Sequence, residues 1–273
     1  MRLFFLGTAA AEGYPGIFCH CPNCNEARAL GGRSLRLRSA LLVNDDLLID
    51  FGPDLLAAAT RFNRSLARVT TGLVTHAHAD HFIPFNFEMR GPSFTGRTPI
   101  PTLRLFGPQE VAQTLHAAFS DLERLSLEVH TVHAFDRWQA GGYAFTAYRA
   151  FHAVGSLEAL FYSFDDGRHA VLYATDTGAF PEDTWQALAG QSFDVIILEE
   201  TLGDGDYSQH MGFNTFLEHA ARMRAQGMLR PGGRLIAHHF SHSGNPTYEK
   251  LAAILEPHGV EAAYDGLEIR LGE

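Results

Sequence analysis

Apolar residues fall into short runs separated by polar or glycine-containing turns, and this spacing predicts a mixture of strands and helices. Runs rich in β-branched and aromatic residues predict strands at 3–6, 40–43, 47–49, 72–75, 103–106, 143–151, 160–164, 169–174, 195–198, 234–237 and 266–271. Runs with helical spacing predict helices at 53–62, 108–119, 182–188, 214–226 and 246–255. In the fourth helix, one buried face is predicted from Phe216, Leu217, Ala220, Ala221 and Met223. The order of elements favours a layered α/β sandwich.

Composition narrows the class of protein. The chain has 273 residues, of which 46% are hydrophobic and 19% are charged. This length can bury a large core, and we find no internal repeat, so we predict a single domain over residues 1–273. The 21 basic and 31 acidic residues give a net charge of -10, which disfavours nucleic acid as a partner.

The cysteines indicate the cellular compartment. All three lie between residues 19 and 24, which is not a disulfide framework and favours a reducing, cytoplasmic environment. The apolar run at 3–6 is shorter than the ~7–15 residues that a signal peptide needs. No run is long enough to cross a membrane, so we expect no membrane partner.

The main chemical signal directly follows the predicted strand at 72–75. His76, His78, Asp80 and His81 place four metal-binding side chains within six residues. Imidazole and carboxylate groups are preferred ligands of zinc, iron and manganese. Further ligands from other strands would exceed the four that one structural zinc takes, so the segment predicts two metals that share the loop.

Other candidate ligands occur at the ends of predicted strands. His152, Asp176 and His239 each follow an apolar run, and functional groups tend to lie at the carboxyl ends of strands in α/β sheets. Asp50 follows the strand at 47–49 and is better suited to orienting a ligand histidine than to binding metal.

The segment from His76 to His81 resembles the signature of the metallo-β-lactamase superfamily, and the strand-end residues follow in the order that this family shows. The resemblance implies a four-layer αββα sandwich, with two mixed β-sheets flanked by helices and a dinuclear metal site at one edge. It assigns His76, His78, His152 and Asp176 to the first metal, and Asp80, His81, His239 and the bridging Asp176 to the second. His238 is an alternative to its neighbour His239.

A second cluster lies nearer the start of the chain. Cys19, Cys21 and Cys24 can wrap one tetrahedral zinc, with a fourth ligand supplied from elsewhere. We expect this zinc knuckle to be an insertion at about residues 18–30. His20 lies within the knuckle, and His242 follows the dinuclear ligand by three residues, so both are candidates for the fourth position.

The knuckle narrows the resemblance to the phosphodiesterases of the carbon–phosphorus lyase pathway, the PhnP type. The similar segments are 6–15, the knuckle itself, 175–178 and 239–242. The resemblance assigns His242 to a structural zinc together with the three cysteines, and it assigns His210 as the general acid. The chain departs from this branch in having Ala where a second Gly is common near Thr8.

The implied activity is metal-dependent hydrolysis of a small cyclic or linear phosphodiester. Two divalent cations, Zn²⁺ or Mn²⁺, would lower the pKa of a shared water and so generate a hydroxide, and a third, structural Zn²⁺ would sit in the knuckle. Asp80 would orient the nucleophile, and His210 would protonate the leaving group. Arg90 is a candidate for binding the substrate phosphate. The sequence also leaves a homodimer open.

Three other functions share parts of this pattern. A lactone or thioester hydrolase would use the same ligands on a carbonyl carbon. A non-catalytic zinc-binding scaffold in cofactor biosynthesis would keep the knuckle, but the complete set of His and Asp ligands argues against it. A tRNA-processing nuclease would carry a basic arm, and no insertion rich in Lys or Arg is present.

Overall fold

Two seven-stranded β-sheets form the centre of the computed structural model, which describes residues 1–153, 155, 157–205 and 207–272. In spatial order, the first sheet contains β14 (Glu268–Arg270), β1 (Arg2–Gly7), β2 (Ala40–Val43), β3 (Leu47–Ile49), β4 (Thr71–Leu73), β5 (Leu103–Gly107) and β6 (Leu127–Thr131). The second contains β13 (Glu261–Ala262), β12 (Leu229–His238), β11 (Phe193–Glu199), β10 (Ala170–Ala174), β9 (Leu160–Asp165), β8 (Tyr143–Arg149) and β7 (Arg137–Ala140).

Both sheets are mixed. Strands β3 to β6 run parallel in the first sheet, and β10 to β13 run parallel in the second. The remaining neighbours pair antiparallel. The helices of the described part are α1 (Pro22–Leu30), α2 (Leu55–Arg61), α3 (Phe85–Glu88), α4 (Gln109–Ala118), α5 (Glu182–Leu188), α6 (Phe213–Ala225) and α7 (Tyr248–Leu255).

In strand β1, successive side chains point to opposite faces of the sheet and so pack against different layers. Leu3 and Phe5 join a core cluster that includes residues of the second sheet, whereas Phe4 and Leu6 join a separate cluster with residues of α2 and α4. Buried residues of α5, α6 and α7 cover the other face of the second sheet. The result is the expected αββα sandwich, so the predicted fold class is confirmed.

The predicted helices all occur, with ends within two residues of the prediction. In α6, Phe216, Ala220 and Met223 are buried as expected, but Ala221 is exposed, so its assignment to the buried face is wrong. Strand β12 begins five residues earlier than predicted, at Leu229, because a glycine-containing stretch that reads as a turn continues the strand.

The strands that the sequence pattern missed are β6, β7 and β13, and each lies at the edge of its sheet. Edge strands bury little side-chain surface, so β6 and β7 lack a regular apolar alternation. The missed helices are α1 and α3; α1 begins directly behind Cys21, whose sulfur accepts a hydrogen bond from the Cys24 amide as an N-cap. No helix in the described ranges has the length and apolar character needed to cross a membrane.

Candidate metal centre

The loops at the carboxyl ends of several strands of both sheets meet at one edge of the sandwich. The loop after β4 carries His76, His78, Asp80 and His81, and the loops after β8, β10 and β12 bring His152, Asp176 and His239 to it. Residues separated by up to about 160 positions therefore converge, as strand-end placement predicts.

Three imidazole nitrogens face one another on one side of this cluster. The Nδ1 atom of His78 lies 2.9 Å from Nε2 of His76 and 3.1 Å from Nε2 of His152. Ligand atoms of a tetrahedral metal with bonds near 2.0–2.1 Å are separated by about 3.3 Å. The spacing of the three nitrogens therefore fits one cation.

Asp176 joins this group to a second one. Its Oδ2 lies 3.3 Å from Nε2 of His76 and 2.9 Å from Nε2 of His81, and its Oδ1 lies 2.6 Å from Nε2 of His239. The Nε2 atom of His81 also lies 3.1 Å from the carboxylate of Asp80. The two oxygens of Asp176 thus face both groups, which is the position of a bridging ligand.

Hydrogen bonds on the far sides of the rings fix their tautomers. His81 donates through Nδ1 to Asp50 at 2.7 Å, and His239 donates through Nδ1 to the Thr201 hydroxyl at 2.9 Å. These bonds leave each Nε2 with a free lone pair directed into the cluster. Asp50 therefore occupies the orienting position that the sequence predicts for it.

The buried polar atoms of the cluster also point to a cation. Nε2 of His81, Nε2 of His239 and Oδ1 of Asp176 are buried without a hydrogen-bond partner of acceptable geometry. Despite burial, the carboxylates of Asp176, Asp80 and Asp50 raise the pKa of His81 well above its usual value. The environment therefore carries an excess of negative charge that divalent cations would neutralise, so the residues present fit the implied metals.

The backbone is unusual where these ligands are presented. Asp50, Asp176 and His239 have φ values of 66°, 52° and 63°, in the left-handed region that non-glycine residues rarely adopt. Each is the first residue after a strand, or nearly so, and the turn directs its side chain into the cluster. Such strain persists only where surrounding contacts hold it in place, and it is concentrated at functional sites.

His210 lies beside the cluster. Its ring stacks at 5.8 Å on that of His239, and its Nδ1 donates to Glu199 at 3.1 Å. Although burial opposes charging of the ring, Glu199 raises the pKa of His210 to about 9. The ring is therefore held as a proton donor at neutral pH.

Glu199 is the important residue that the sequence prediction missed. It is fully buried and accepts hydrogen bonds from the Thr177 and Met211 amides at 2.6 and 2.7 Å, and from the Thr201 hydroxyl at 3.1 Å. It therefore orients both His210 and, through Thr201, His239. Its place at the end of β11 is the same signal that identified the other strand-end carboxylates, so the pattern contained the information.

The knuckle forms a second cluster of ligands. One ligand atom each from Cys19, Cys21, Cys24 and His242 lies within 4.8 Å of the others. Nδ1 of His242 is 3.8 Å from the sulfur of Cys19 and 3.6 Å from that of Cys21. A tetrahedral zinc with one sulfur and one nitrogen ligand separates them by about 3.6 Å, so the geometry fits zinc.

The thiols of the knuckle differ in their ease of ionisation. Burial opposes ionisation of Cys21, but the Cys24 amide and neighbouring side chains lower its pKa to about 7. Burial raises the pKa of Cys24 to about 12. A cation is therefore needed for all the thiols to act as thiolates together.

Three candidate residues lie outside these clusters. His20 is exposed, and His238 is buried with its Nε2 3.3 Å from the Tyr173 hydroxyl, so the structure brings His242 and His239 to the ligand positions instead. Arg90 donates to the carbonyls of Leu125, Pro101 and Ser126, and lines a separate apolar cavity of about 260 Å³. This position corrects the expectation that Arg90 binds substrate.

A cleft of about 520 Å³ opens onto the His/Asp cluster. Ligand residues form its floor, and Glu12, Tyr207, His210 and Ser241 contribute to its walls. The cleft therefore gives a ligand access from solvent to the His/Asp cluster and to His210.

The chain belongs to the metallo-β-lactamase superfamily: the family described as Beta-lactamase superfamily domain matches residues 46–240. This superfamily consists mostly of metal-dependent hydrolases. The match includes the histidine loop and extends through His239, and the predicted family is thus confirmed.

Relatives within the superfamily differ in their described functions. Ribonuclease Z of Myxococcus xanthus (strain DK1622) is 29% identical over 160 residues, which cover 58% of this chain and 46% of that protein, so this chain spans about half its length. Coenzyme PQQ synthesis protein B of Xanthomonas campestris pv. campestris (strain B100) is 23% identical over 311 residues, covering 99% of this chain and 100% of that protein.

Solved structures give a similar picture. A diphosphatase of the PhnP family is similar with a TM-score of 0.76 and 25% identity, covering 98% of this chain and 97% of its own. Zn²⁺-bound PqqB from Methylobacterium extorquens has a TM-score of 0.75 and 19% identity, covering 99% and 100% of the two chains. The PhnP-family likeness agrees with the resemblance found in the sequence.

Proposed function

We propose that this protein hydrolyses a phosphodiester bond in a small molecule. The observation that carries the proposal is the convergence of seven His and Asp ligands on one cleft, with His210 directly beside them. The PhnP-family diphosphatase and ribonuclease Z, whose names both describe cleavage at phosphorus, support this reading.

His76, His78, His152 and Asp176 would hold one divalent cation, and Asp80, His81, His239 and Asp176 would hold the other. Zn²⁺ or Mn²⁺ would suit these ligands, and the knuckle would hold a structural Zn²⁺. When bound, the paired cations supply an activated water and neutralise charge that develops on the phosphoryl oxygens.

The protein's own side chains would complete the reaction. Asp80 borders the cleft, where its carboxylate can orient the attacking water. His210 would donate the proton on Nε2 to the departing oxygen, because its Nδ1 is occupied by Glu199. Glu199 would keep that ring in the productive orientation and stabilise its charged form.

A screen of the zinc- and manganese-loaded protein tests the proposal. It sets linear and cyclic phosphodiesters and a diphosphate ester beside phosphomonoesters, lactones and thioesters. We expect the phosphodiesters to give the highest kcat/KM. A preference for lactones or thioesters would contradict the proposal and make the protein a carbonyl hydrolase.

The full-length relationship to coenzyme PQQ synthesis protein B supports a second candidate, a non-catalytic zinc-binding role in cofactor biosynthesis. In that case, no substrate in the screen would turn over even with metals bound. The complete set of dinuclear ligands favours catalysis, because buried carboxylates and imidazoles are costly to keep together without cations.

A further inference from the structure

Apart from histidines, the ionisable side chains that line the described part of the cleft are mainly acidic. Among the described residues that line it, the acidic ones are Glu12, Asp80 and Asp176, and none is Lys or Arg. Leu202, Tyr207 and Gln209 also line the cleft, and they add neither Lys nor Arg. The groups that can carry positive charge in this cleft are therefore its histidines and any cations bound to them.

Arg38 contacts the backbone of Ala11, which lines the cleft, but its guanidinium is already engaged. Arg38 donates through Nε to the carbonyl of Ala11 at 2.6 Å, and its Nη1 lies 2.9 Å from the carboxylate of Asp54. Arg90, as described above, is held by carbonyl oxygens elsewhere. Neither arginine is a free counter-ion for a second anionic group in the cleft.

Glu12 is fixed in place between the two metal sites. The Ser241 hydroxyl donates to its carboxylate, and Nε2 of His242 lies 3.8 Å from the same oxygen of Glu12. Ser241 follows the dinuclear ligand His239 by two residues, and His242 belongs to the knuckle. About a third of the Glu12 side chain remains exposed, at 36%, so the anchored carboxylate still faces the cleft.

We infer that the cleft selects substrates whose only negative charge is the phosphodiester itself, and that Glu12 is the residue that excludes a further phosphate. This inference rests on the proposed function and deepens it. The two cations would neutralise their own carboxylates and the reacting phosphoryl group. A second phosphate beside Glu12 would then meet a carboxylate, with no Lys or Arg among the described lining residues to pair with it, which disfavours binding. The substrate class is therefore a diester of neutral, hydroxyl-bearing or cationic alcohols.

Binding of two matched compounds tests the inference without depending on turnover. The probes are thymidine 5′-methylphosphonate, a singly charged phosphonate analogue, and the same compound with a 3′-phosphate. Calorimetric titration of the zinc-loaded protein should give a Kd about tenfold or more weaker for the 3′-phosphorylated compound. The difference should shrink as ionic strength rises, because screening weakens repulsion between partly exposed charges.

Glu12→Gln keeps the size of the side chain and an oxygen that can accept from Ser241, so the variant should fold. It should reduce the ratio of the two Kd values to about threefold or less, mainly by improving binding of the 3′-phosphorylated compound. Glu128→Gln is the matched control, because Glu128 is exposed on β6 and does not line the cleft. It should leave the ratio unchanged.

The inference is overturned if the wild-type protein binds both compounds equally, prefers the 3′-phosphorylated one or binds neither. It is also overturned if Glu12→Gln leaves the ratio as it is. A clear binding preference together with no phosphodiester hydrolysis in the screen would reject the proposed reaction alone, so the two failures can be told apart.

Discussion

His210 is held by a buried carboxylate on one side and faces the cleft on the other, with its ring stacked on that of His239. If His210 protonates the leaving oxygen, its contribution to the rate depends on how basic that oxygen is. His210→Ala should lower kcat on an alkyl phosphodiester by about 100-fold or more, but should lower it far less on an activated aryl phosphodiester. Steady-state kinetics on both esters measure this, and equal losses would remove His210 from the role of general acid.

The pH dependence provides a related test. Glu199 raises the pKa of His210 to about 9, and the acid must carry its proton to act. The rate on the alkyl ester should therefore stay high through neutral pH and fall as the pH rises through that pKa. Glu199→Gln should move this decline to lower pH, and a decline that stays in place in this variant would speak against the pairing.

Asp80 belongs to the His/Asp cluster and also lines the open cleft. Asp80→Ala should reduce phosphodiester turnover by more than about 100-fold, since loss of a ligand exceeds the effect of losing an outer partner. The far-UV circular dichroism spectrum should be unchanged, because the side chain makes its contacts in the site rather than in the core. Retained turnover would show that the attacking water needs no carboxylate here.

The loops after β10 and β11 pack together without space between their backbones. A Cβ atom added at Gly178 would meet the Ser208 carbonyl oxygen at 1.9 Å. Since Ser208 lies two residues before His210, Gly178→Ala should displace the segment that carries His210. We expect at least about a tenfold loss of kcat on alkyl esters, because small displacements at a site are costly.

The metal content of Gly178→Ala should remain that of the wild type, because the Asp176 carboxylate lies against the rings of His81 and His239 rather than against Ser208. Ala179→Ser is the neighbouring control, since Ala179 is exposed and its side chain points to solvent-accessible space. It should retain full activity. A Gly178→Ala variant as active as this control would show that the loop tolerates the displacement.

Elements that bury much apolar surface were predictable from the sequence, whereas three of the four edge strands, β6, β7 and β13, were not. The fourth, β14, lies within the apolar run predicted at 266–271. The helical spacing of apolar residues in α6 and the continuous apolar runs of β10 and β11 identify these elements directly. Apolar residues are needed there because their side chains are buried. Strands β6 and β7 depend on pairing with one neighbour each, and their half-exposed residues carry no such signature.

The ligand positions followed from a different rule, the placement of polar residues after strands. The structure brings Asp176 and His239 together in one cluster, with Asp50 bonded to His81 behind it. Glu199 also lies at a strand end and fits the rule, but strand-end placement does not say that its partner would be His210. Arg90 was misplaced because its proximity in sequence to the histidine loop says nothing about the carbonyls that hold it. Hydrogen-bond partners distant in sequence are set by tertiary packing.

The knuckle brings together residues that are distant in the sequence, since its cysteines lie before residue 25 and His242 follows β12. Cys21→Ala should remove the structural zinc and lower Tm by about 5 °C or more, because metal binding contributes directly to folding free energy. His20→Ala is the matched control within the same segment, and its exposed ring predicts an unchanged Tm. Thermal unfolding with and without a chelator measures both.

Distant His and Asp residues gather at one edge of the sandwich, where we propose that they hold a pair of cations in addition to the zinc of the knuckle. Elemental analysis of the purified, metal-loaded chain measures how many ions it holds. We expect about three divalent ions per chain in the wild type and about two in Cys21→Ala. A single ion per chain that disappears in Cys21→Ala would contradict it, because the dinuclear cluster would then hold no metal.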